Sequence, residues 1–275
     1  MVTDVTAPDR QAHRTTVSRD GTQIMYWQTG ESDPLLLVHG ATSDHTRWDP
    51  LLPLLTPHVT VCAMDRRGRG ASGDAPRHSI ARESEDVAAV VDAIALQSGS
   101  PVDVFGHSYG ALCSLEATLL TPNMRKLVLY EAPTHMEHDS GLGRLLDGLD
   151  ELVEAGRRED AVERFFREAV HAPDHEIELL MKAAAWAVRV ANAHTMAREA
   201  RAVLEYRFEA ARFGSMAIPT LLLVGGDHPQ DVGGSANAVA DALPNATISV
   251  LDGQQHMAMD TSPRLVVEHL LTFLC

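Results

Sequence analysis

Cysteine is scarce in this chain, and its spacing excludes two kinds of structural support. The only cysteines are Cys62, Cys113 and Cys275, an odd number with no Cys-x-x-Cys pair. They predict neither a disulfide framework nor a thiolate zinc site, and they suit a reducing compartment. Long apolar runs are missing as well, so we predict no membrane span. The first residues lack the apolar segment of a secretory signal, so we expect a cytoplasmic protein.

Basic residues are outnumbered by acidic ones, which excludes further classes of partner. The chain has 23 Lys+Arg against 38 Asp+Glu, a formal charge of −15 at neutral pH. Such a charge repels phosphate backbones and anionic lipid head groups, so we expect neither nucleic acid nor membrane as a partner. The sequence does not indicate an oligomeric state. Apolar residues make up 45% of the 275 residues, enough for the core of one full-sized domain with an insertion.

Short apolar or alternating segments predict strands, and helical patterns separate most of them. The predicted strands are 14–18, 23–29, 34–38, 59–64, 102–105, 127–130, 220–224 and 247–251. The predicted helices between them are 48–55, 82–96, 109–120, 235–243 and 263–274. Continuous apolar runs are typical of strands that are buried on both faces. This alternation predicts an α/β fold, a mostly parallel sheet with helices on both faces.

The alternation breaks once, between residues 134 and 214. Helical patterns cover 142–154, 160–171 and 176–208, with apolar residues three and four positions apart. We interpret 134–214 as a helical cap (lid) over the carboxyl edge of the sheet, where open α/β sheets bind ligands. The predicted core then comprises 13–133 and 215–275, and residues 1–12 are expected to be a disordered or loose lead.

A serine nucleophile is indicated by the pentapeptide Gly-His-Ser-Tyr-Gly at 106–110. It follows a predicted strand and begins a predicted helix, the setting in which Gly-x-Ser-x-Gly forms a nucleophile elbow. The strained turn holds the serine hydroxyl out at the top of the sheet, and the helix N-terminus favours developing negative charge. We therefore expect Ser108 to be the nucleophile.

A serine hydroxyl needs a base, and the base needs an acid that orients it. His256 lies in the loop between the last predicted strand and the last helix, at the same sheet edge as Ser108. Asp227 directly follows the preceding strand, and the order Ser108, Asp227, His256 is the chain order of α/β-hydrolase triads. Asp227 is the preferred acid, with Glu131 and Asp231 as alternatives.

The developing oxyanion needs two hydrogen-bond donors, and the sequence offers two backbone N–H groups. One belongs to Tyr109, the residue after the nucleophile, and the other to Ala41, in the loop after the strand 34–38. Trp48, further along that loop, is expected to pack against the core. Two histidines and an aspartate at 135–139 resemble a metal cluster but lack a further ligand, so we predict no metal site.

Together these segments resemble the α/β-hydrolase fold superfamily, in its serine-nucleophile, esterase or haloperoxidase-like branch. The resemblance covers residues 13–275 and rests on five segments: 35–40, 64–72, 106–110, the strand end at Asp227, and 253–256. It implies an eight-stranded sheet, a Ser–Asp–His triad and an oxyanion hole of two N–H groups. It also implies that Asp65–Ser72 is a structural turn. Gly225 lies one residue nearer to Asp227 than in many members, which keeps Glu131 open as the acid.

These residues predict a serine hydrolase that cleaves an ester or related acyl bond of a small to medium apolar substrate. The predicted cap is rich in apolar side chains, which favours an apolar pocket. No cofactor or metal enters this chemistry. A carbon–carbon bond hydrolase, a lactonase or a cofactor-free perhydrolase would use the same triad, and a non-catalytic ligand-binding protein would keep the fold. The serine at position 108 excludes dehalogenases and epoxide hydrolases, which need a carboxylate there.

Overall fold

Eight strands form one sheet in the computed structural model of the chain. The structure describes residues 12–134, 140–227 and 230–275, apart from the side chains at 140–142 and 230–233. The strands are β1 (Ala12–Val17), β2 (Gln23–Thr29), β3 (Pro34–Val38), β4 (Thr60–Met64), β5 (Val102–His107), β6 (Met124–Tyr130), β7 (Thr220–Gly225) and β8 (Ala246–Leu251). Ala12, expected in the loose lead, is the first residue of β1, and residues 1–11 lie outside the described part of the chain.

The strand order confirms the predicted mostly parallel sheet. It runs β1-β2-β4-β3-β5-β6-β7-β8, with β1–β2 and β2–β4 antiparallel and all later pairs parallel. The carboxyl ends of β3 to β8 therefore share one edge. The loops after β3, β5, β6, β7 and β8 meet there, and these loops carry every residue of the predicted catalytic site.

Helices cover both faces of the sheet, as predicted. Alternate residues of β3 separate the two faces: Leu36 and Val38 join one apolar cluster, Leu35 and Leu37 the other. The helices outside the segment between β6 and β7 are α1 (Leu52–Leu55), α2 (Ile80–Ser98), α3 (Tyr109–Ala117), α9 (Gln230–Ala242), α10 (Ala258–Thr261) and α11 (Pro263–Leu274). The first cluster contains α2, α3 and α9, and the second contains α1, α10 and α11. None of the described helices is long and apolar enough to cross a membrane.

Between β6 and β7 the described chain is helical, and we call residues 140–212 the helical insertion. Its helices are α4 (Ser140–Glu154), α5 (Arg158–Glu168), α6 (Asp174–Lys182), α7 (Ala185–Ala191) and α8 (Met196–Glu205). The single helical stretch predicted over 176–208 is thus three helices. Ala183 is extended and ends α6, within an alanine-rich segment that carries no apolar periodicity.

The helical insertion has an apolar cluster of its own, and this cluster reaches the carboxyl edge of the sheet. Its members include Leu149, Phe166 and Trp186, together with Met257 from the loop after β8. Ala41, from the loop after β3, packs against the same cluster. The insertion therefore contacts two of the loops that carry predicted site residues.

Candidate active site

Ser108 lies at a strained turn between β5 and α3. Its φ of 53° and ψ of −125° are uncommon for a residue with a side chain, and such strain persists where the surrounding structure enforces it. Three backbone hydrogen bonds do so here. The Ser108 N–H donates to the Tyr130 carbonyl at 2.8 Å, and the Ser108 carbonyl accepts from Ala111 at 2.9 Å and Leu112 at 3.2 Å.

Two glycines allow the close packing that this turn requires. A Cβ on Gly106 would lie 2.6 Å from the Cα of Ala111, and a Cβ on Gly110 would lie 2.4 Å from the carbonyl oxygens of Val38 and His39. Real Cβ atoms do not approach backbone atoms so closely. The glycines of the pentapeptide therefore let α3 lie against both β5 and the loop after β3.

His256 is held in place by residues from the ends of β5 and β6. The ring of His107 lies 4.6 Å from the ring of His256, centroid to centroid. His107 Nε2 lies 3.0 Å from the His256 carbonyl oxygen, and since a carbonyl only accepts, Nε2 carries the proton. Tyr130 donates its hydroxyl to the Gln255 carbonyl. Because His107 directly precedes Ser108, these contacts bring the histidine loop against the nucleophile turn.

His107 stays neutral at neutral pH. Its burial, followed by the proximity of His256 and of the charges of Arg47 and Arg189, lowers the pKa of His107 well below its ordinary value. A neutral ring with its proton on Nε2 can donate to the His256 backbone without adding a second cation to the site. We interpret His107 as a residue that positions His256.

The carboxylate against His256 belongs to Glu131, the alternative acid. Glu131 Oε2 lies 2.5 Å from His256 Nδ1, and the Glu131 side chain is 1% exposed. Oε1 of the same carboxylate accepts the Gly225 N–H at 2.9 Å. Glu131 itself has a φ of 51°, a second strained residue in this small region. The carboxylate is thus fixed by the end of the neighbouring strand β7.

Asp227, the preferred expectation, is not the carboxylate that the described contacts bring to His256. The two acidic residues differ in how far each lies beyond the end of its strand. Glu131 directly follows β6, the neighbour of β5, whereas β7 continues to Gly225 before the chain turns. Gly226 and Asp227 lie in that turn, their N–H groups donate to Leu251 and Gln254, and Asp227 is exposed. The remaining alternative, Asp231, has a side chain outside the described part of the structure.

The loop after β3 reaches Ser108. A Cβ on Gly40 would lie 3.0 Å from the Ser108 Cβ, so the backbone of this loop passes directly beside Ser108. Ala41 comes next, and Thr42 then adopts a left-handed φ of 60°, unusual for a β-branched residue. The Tyr109 N–H is the first of α3, and helices leave their first N–H groups without intrahelical acceptors. The structure therefore places both expected donor residues beside Ser108.

His39 fixes the same loop. It is fully buried, and its burial, followed by the charges of Arg66 and Arg69, lowers the pKa of its imidazole well below the ordinary value. Its Nδ1 lies 2.9 Å from the Gly40 carbonyl and donates to it, and its Nε2 accepts the Arg66 N–H at 3.3 Å. This neutral histidine joins the loop after β3 to the loop after β4.

Three charged residues near the site were not found by sequence reasoning. Arg47 lies on the 3-10 turn His45–Trp48, Glu176 on α6 and Arg189 on α7, and all are nearly buried. Burial raises the pKa of Glu176. The one available signal was Arg189, a lone charge between valines and alanines in an otherwise apolar helical segment.

Other conspicuous residues have structural partners. Trp48 is fully buried and its ring lies 5.2 Å from that of Phe105, which confirms its packing role. Asp65 accepts from the Ala71 N–H at 2.9 Å and pairs with His45 at 2.7 Å, as a structural turn requires.

Within the described residues two trios have metal-like spacing, but their members are engaged with one another or with cations. Asp44, His45 and Asp65 form one, and Asp44 caps the 3-10 turn through the Thr46 N–H while His45 pairs with Asp65. His78, Glu83 and Glu199 form the other, and Glu199 pairs with two arginines, Arg66 and Arg69. The pattern at 135–139 lies outside the described residues.

Comparison with known proteins gives a consistent set of relatives. The model of the family described as "Alpha/beta hydrolase family" matches residues 35–269. A crystal structure of an alpha/beta hydrolase from Sphaerobacter thermophilus superposes with a TM-score of 0.81 at 35% identity, covering 95% of this chain and all of that one.

Two curated relatives are similar along most of their length. The (E)-2-((N-methylformamido)methylene)succinate hydrolase of Acinetobacter baylyi is 24% identical over 259 residues, 90% of this chain and 93% of the relative. The 2-(acetamidomethylene)succinate hydrolase of Mesorhizobium japonicum is 26% identical over 260 residues, 90% of each chain.

Proposed function

The chain belongs to the alpha/beta hydrolase family and is a hydrolase, and we propose that it cleaves acyl bonds of a small molecule with Ser108, His256 and Glu131. The observation that carries the proposal is the contact between the buried Glu131 carboxylate and His256 Nδ1, at 2.5 Å. The loop that carries His256 also contacts His107, the residue before Ser108. A carboxylate on Nδ1 leaves Nε2 of His256 as the nitrogen that can serve as a base. The order of the triad along the chain is then Ser108, Glu131, His256.

The reaction follows from these positions. His256 Nε2 removes the Ser108 hydroxyl proton as the serine oxygen attacks the substrate carbonyl carbon. The carbonyl oxygen becomes an oxyanion, which accepts from the Ala41 and Tyr109 N–H groups. His256 then gives the proton to the leaving group, whose bond to the acyl carbon breaks. Water, deprotonated by His256, attacks the acyl-enzyme in the same way and releases the acid.

Glu131 acts on the histidine and not on the substrate. Its carboxylate accepts the Nδ1 proton, fixes the ring orientation and stabilises the imidazolium that forms during each proton transfer. Its own position is fixed in turn by the Gly225 N–H, so that the acid cannot rotate away from the ring. This arrangement supplies the fixed geometry on which triad catalysis depends.

We assign the helical insertion the role of a cap over this site. Support comes from its apolar cluster, which packs on Ala41 beside the proposed oxyanion hole and includes Met257 beside the proposed base. A cap in this position would exclude water and provide apolar contacts to part of the substrate. Two of the relatives are named for succinate derivatives, which supports a small acyl substrate.

Replacement of Ser108 tests the proposal. In Ser108→Ala we expect hydrolysis of para-nitrophenyl acetate to fall about 10⁴-fold or more, because the acyl-enzyme cannot form. Ser114→Ala is the matched control: Ser114 lies on the helix α3 that follows Ser108, and its buried hydroxyl donates to the Gly110 carbonyl at 2.7 Å. Ser114→Ala should retain activity within about threefold, since it loses one neutral hydrogen bond. Equal activity of Ser108→Ala and wild type would refute the proposal.

A further inference from the structure

Arg189 is a buried cation that no carboxylate of the described residues neutralises through an ion pair. It is 3% exposed, and its Nη1 donates to the hydroxyls of Thr42 at 3.2 Å and Ser43 at 3.1 Å. Among the described residues, its Nε and Nη2 have no hydrogen-bond partner. Buried charges are costly unless they are paired and hydrogen-bonded, so open donors on such a group call for a ligand.

The two open nitrogens lie on one side of the guanidinium. Nε and Nη2 form the edge that presents two parallel N–H groups, and this edge matches the two oxygens of a carboxylate. The opposite corner, Nη1, is the one held by Thr42 and Ser43. The protein thus anchors Arg189 by one nitrogen and leaves its bidentate edge open.

Arg189 is anchored to the loop that carries the proposed oxyanion donor. Thr42 and Ser43 directly follow Ala41, and Thr42 is the strained residue of that loop. Phe166, a member of the apolar cluster of the helical insertion, lies under the guanidinium with its ring centroid 5.2 Å from Cζ. A group bound at Arg189 would therefore lie beside the acyl-binding region and against the apolar cluster.

The charged groups around Arg189 do not neutralise it, so an added anion would be attracted to it. Arg47 is also nearly buried, and it pairs with Asp260 at 2.8 Å through Nη1, while its own Nε and Nη2 have no hydrogen-bond partner in the described part of the chain. Asp260 and Asp44 act on Arg189 through longer-range electrostatics, since neither forms an ion pair with it; the Asp44 carboxylate accepts the Thr46 N–H at 2.8 Å. Burial and then the charge of Arg47 lower the pKa of Arg189 to about 10, so Arg189 remains a cation at neutral pH.

We propose that Arg189 binds a carboxylate of the substrate, so that the enzyme acts on acyl compounds that carry a negatively charged group away from the scissile bond. This inference rests on the proposed acyl hydrolysis at Ser108. It replaces the expectation of a small to medium apolar substrate with a substrate that has an apolar segment and an anionic end. The helical insertion would then select the substrate through the positive charge of Arg189, and the residues at the carboxyl edge of the sheet would hydrolyse the acyl bond.

The test uses two pairs of esters that differ only at the end of the acyl chain. The pairs are para-nitrophenyl hexanoate with the hydrogen adipate, and para-nitrophenyl pentanoate with the hydrogen glutarate. In wild type we expect kcat/KM for the charged ester to equal or exceed that for its neutral partner in at least one pair. An apolar pocket without a cation would disfavour the buried carboxylate, so a preference of more than about 100-fold for the neutral ester in both pairs overturns the inference.

Three variants make the test specific to Arg189. In Arg189→Met the charged-to-neutral ratio of kcat/KM should fall about 10- to 100-fold, and Arg189→Lys should give an intermediate ratio, because it keeps the charge but loses the bidentate edge. Arg201→Met is the matched control, since Arg201 lies on α8 and pairs with Asp147 and Asp150 at the surface. Its ratio should equal that of wild type.

The outcomes separate this inference from the proposed function. If Ser108-dependent turnover persists but Arg189→Met leaves the charged-to-neutral ratio at its wild-type value, only the Arg189 assignment is wrong. If Arg189→Met does not fold, the wild-type and Arg189→Lys ratios still decide, and an unchanged ratio in Arg189→Lys contradicts the inference. If wild type cleaves none of the four esters, both proposals fail together.

Discussion

The ends of β6 and β7 each present a carboxylate within a few residues, yet the two carboxylates have opposite surroundings. Glu131 is buried, has strained backbone and is bound at both oxygens by Gly225 and His256. Asp227 lies two residues beyond the end of β7, in an exposed turn. Neighbouring parallel strands share an edge, but the residue at which each strand ends decides which side chain faces the centre of the site.

This contrast has a physical consequence for catalysis. A carboxylate fixed by an amide N–H and an imidazole keeps one orientation, whereas an exposed carboxylate is solvated and screened, and its interactions are weak. The triad needs the first kind of group, because the acid must hold one histidine tautomer through both proton transfers. The surroundings therefore favour Glu131 on chemistry, in addition to its 2.5 Å contact with His256 Nδ1.

The largest expected difference in activity comes from removing each of the two carboxylates in turn. In Glu131→Gln we expect kcat/KM for para-nitrophenyl acetate to fall about 10³- to 10⁴-fold, because an amide cannot stabilise the imidazolium or enforce the tautomer. Asp227→Asn should lose less than about threefold, as expected for an exposed residue. Both variants should remain folded by circular dichroism. A larger loss in Asp227→Asn than in Glu131→Gln would reverse the assignment of the acid.

Adding a methyl group at the end of β7 is expected to lower the activity less. A Cβ on Gly225 would lie 2.7 Å from the Gln254 carbonyl, 2.8 Å from the Gln255 Cα and 3.0 Å from the Glu131 carboxylate. Gly225→Ala must therefore displace the acid or the histidine loop by tenths of an ångström. We expect kcat to fall about 10- to 100-fold, with about 1–3 kcal/mol lost from the free energy of unfolding.

The control for this variant is Gly234, on α9. Apart from its chain neighbours and the backbone of its own helix, no atom of the described residues lies within 4 Å of an added Cβ there, so Gly234→Ala should keep full activity. It should raise the free energy of unfolding by up to about 1 kcal/mol, because alanine is the better helix former. Equal kinetics and equal thermal stability of the two alanine variants would show that the end of β7 does not position the acid.

Much of the fold could be predicted because local patterns dictate it. Apolar runs such as Pro34–Val38, short and bounded by turn residues, are typical of buried strands, and the pentapeptide around Ser108 specifies its own turn through the space its glycines leave. The order of elements then places Ser108, the loop that carries His256 and the loop after β3 at one edge. These features need only a few consecutive residues or the general rules of parallel sheets.

The acid and Arg189 depend on longer-range geometry. The choice between Glu131 and Asp227 requires the end of each strand to within one residue, and a spacing pattern does not define strand ends that closely. Arg189 acquires its contacts only because α7 folds back over Thr42 and Ser43, more than 140 positions earlier in the chain. Helical periodicity shows that a segment is helical, but it does not show which loop that helix covers.

The most direct measurement is the site of covalent labelling by a fluorophosphonate. This reagent reports the activated serine itself, through a stable bond from its phosphorus to the serine oxygen with loss of fluoride. Mass spectrometry of the digested wild-type protein should place a single adduct on Ser108, and labelling of Glu131→Gln should be at least about 100-fold slower, since the base would lack its orienting acid. An adduct on another residue, or none at all, would contradict the assignment of Ser108 as the nucleophile.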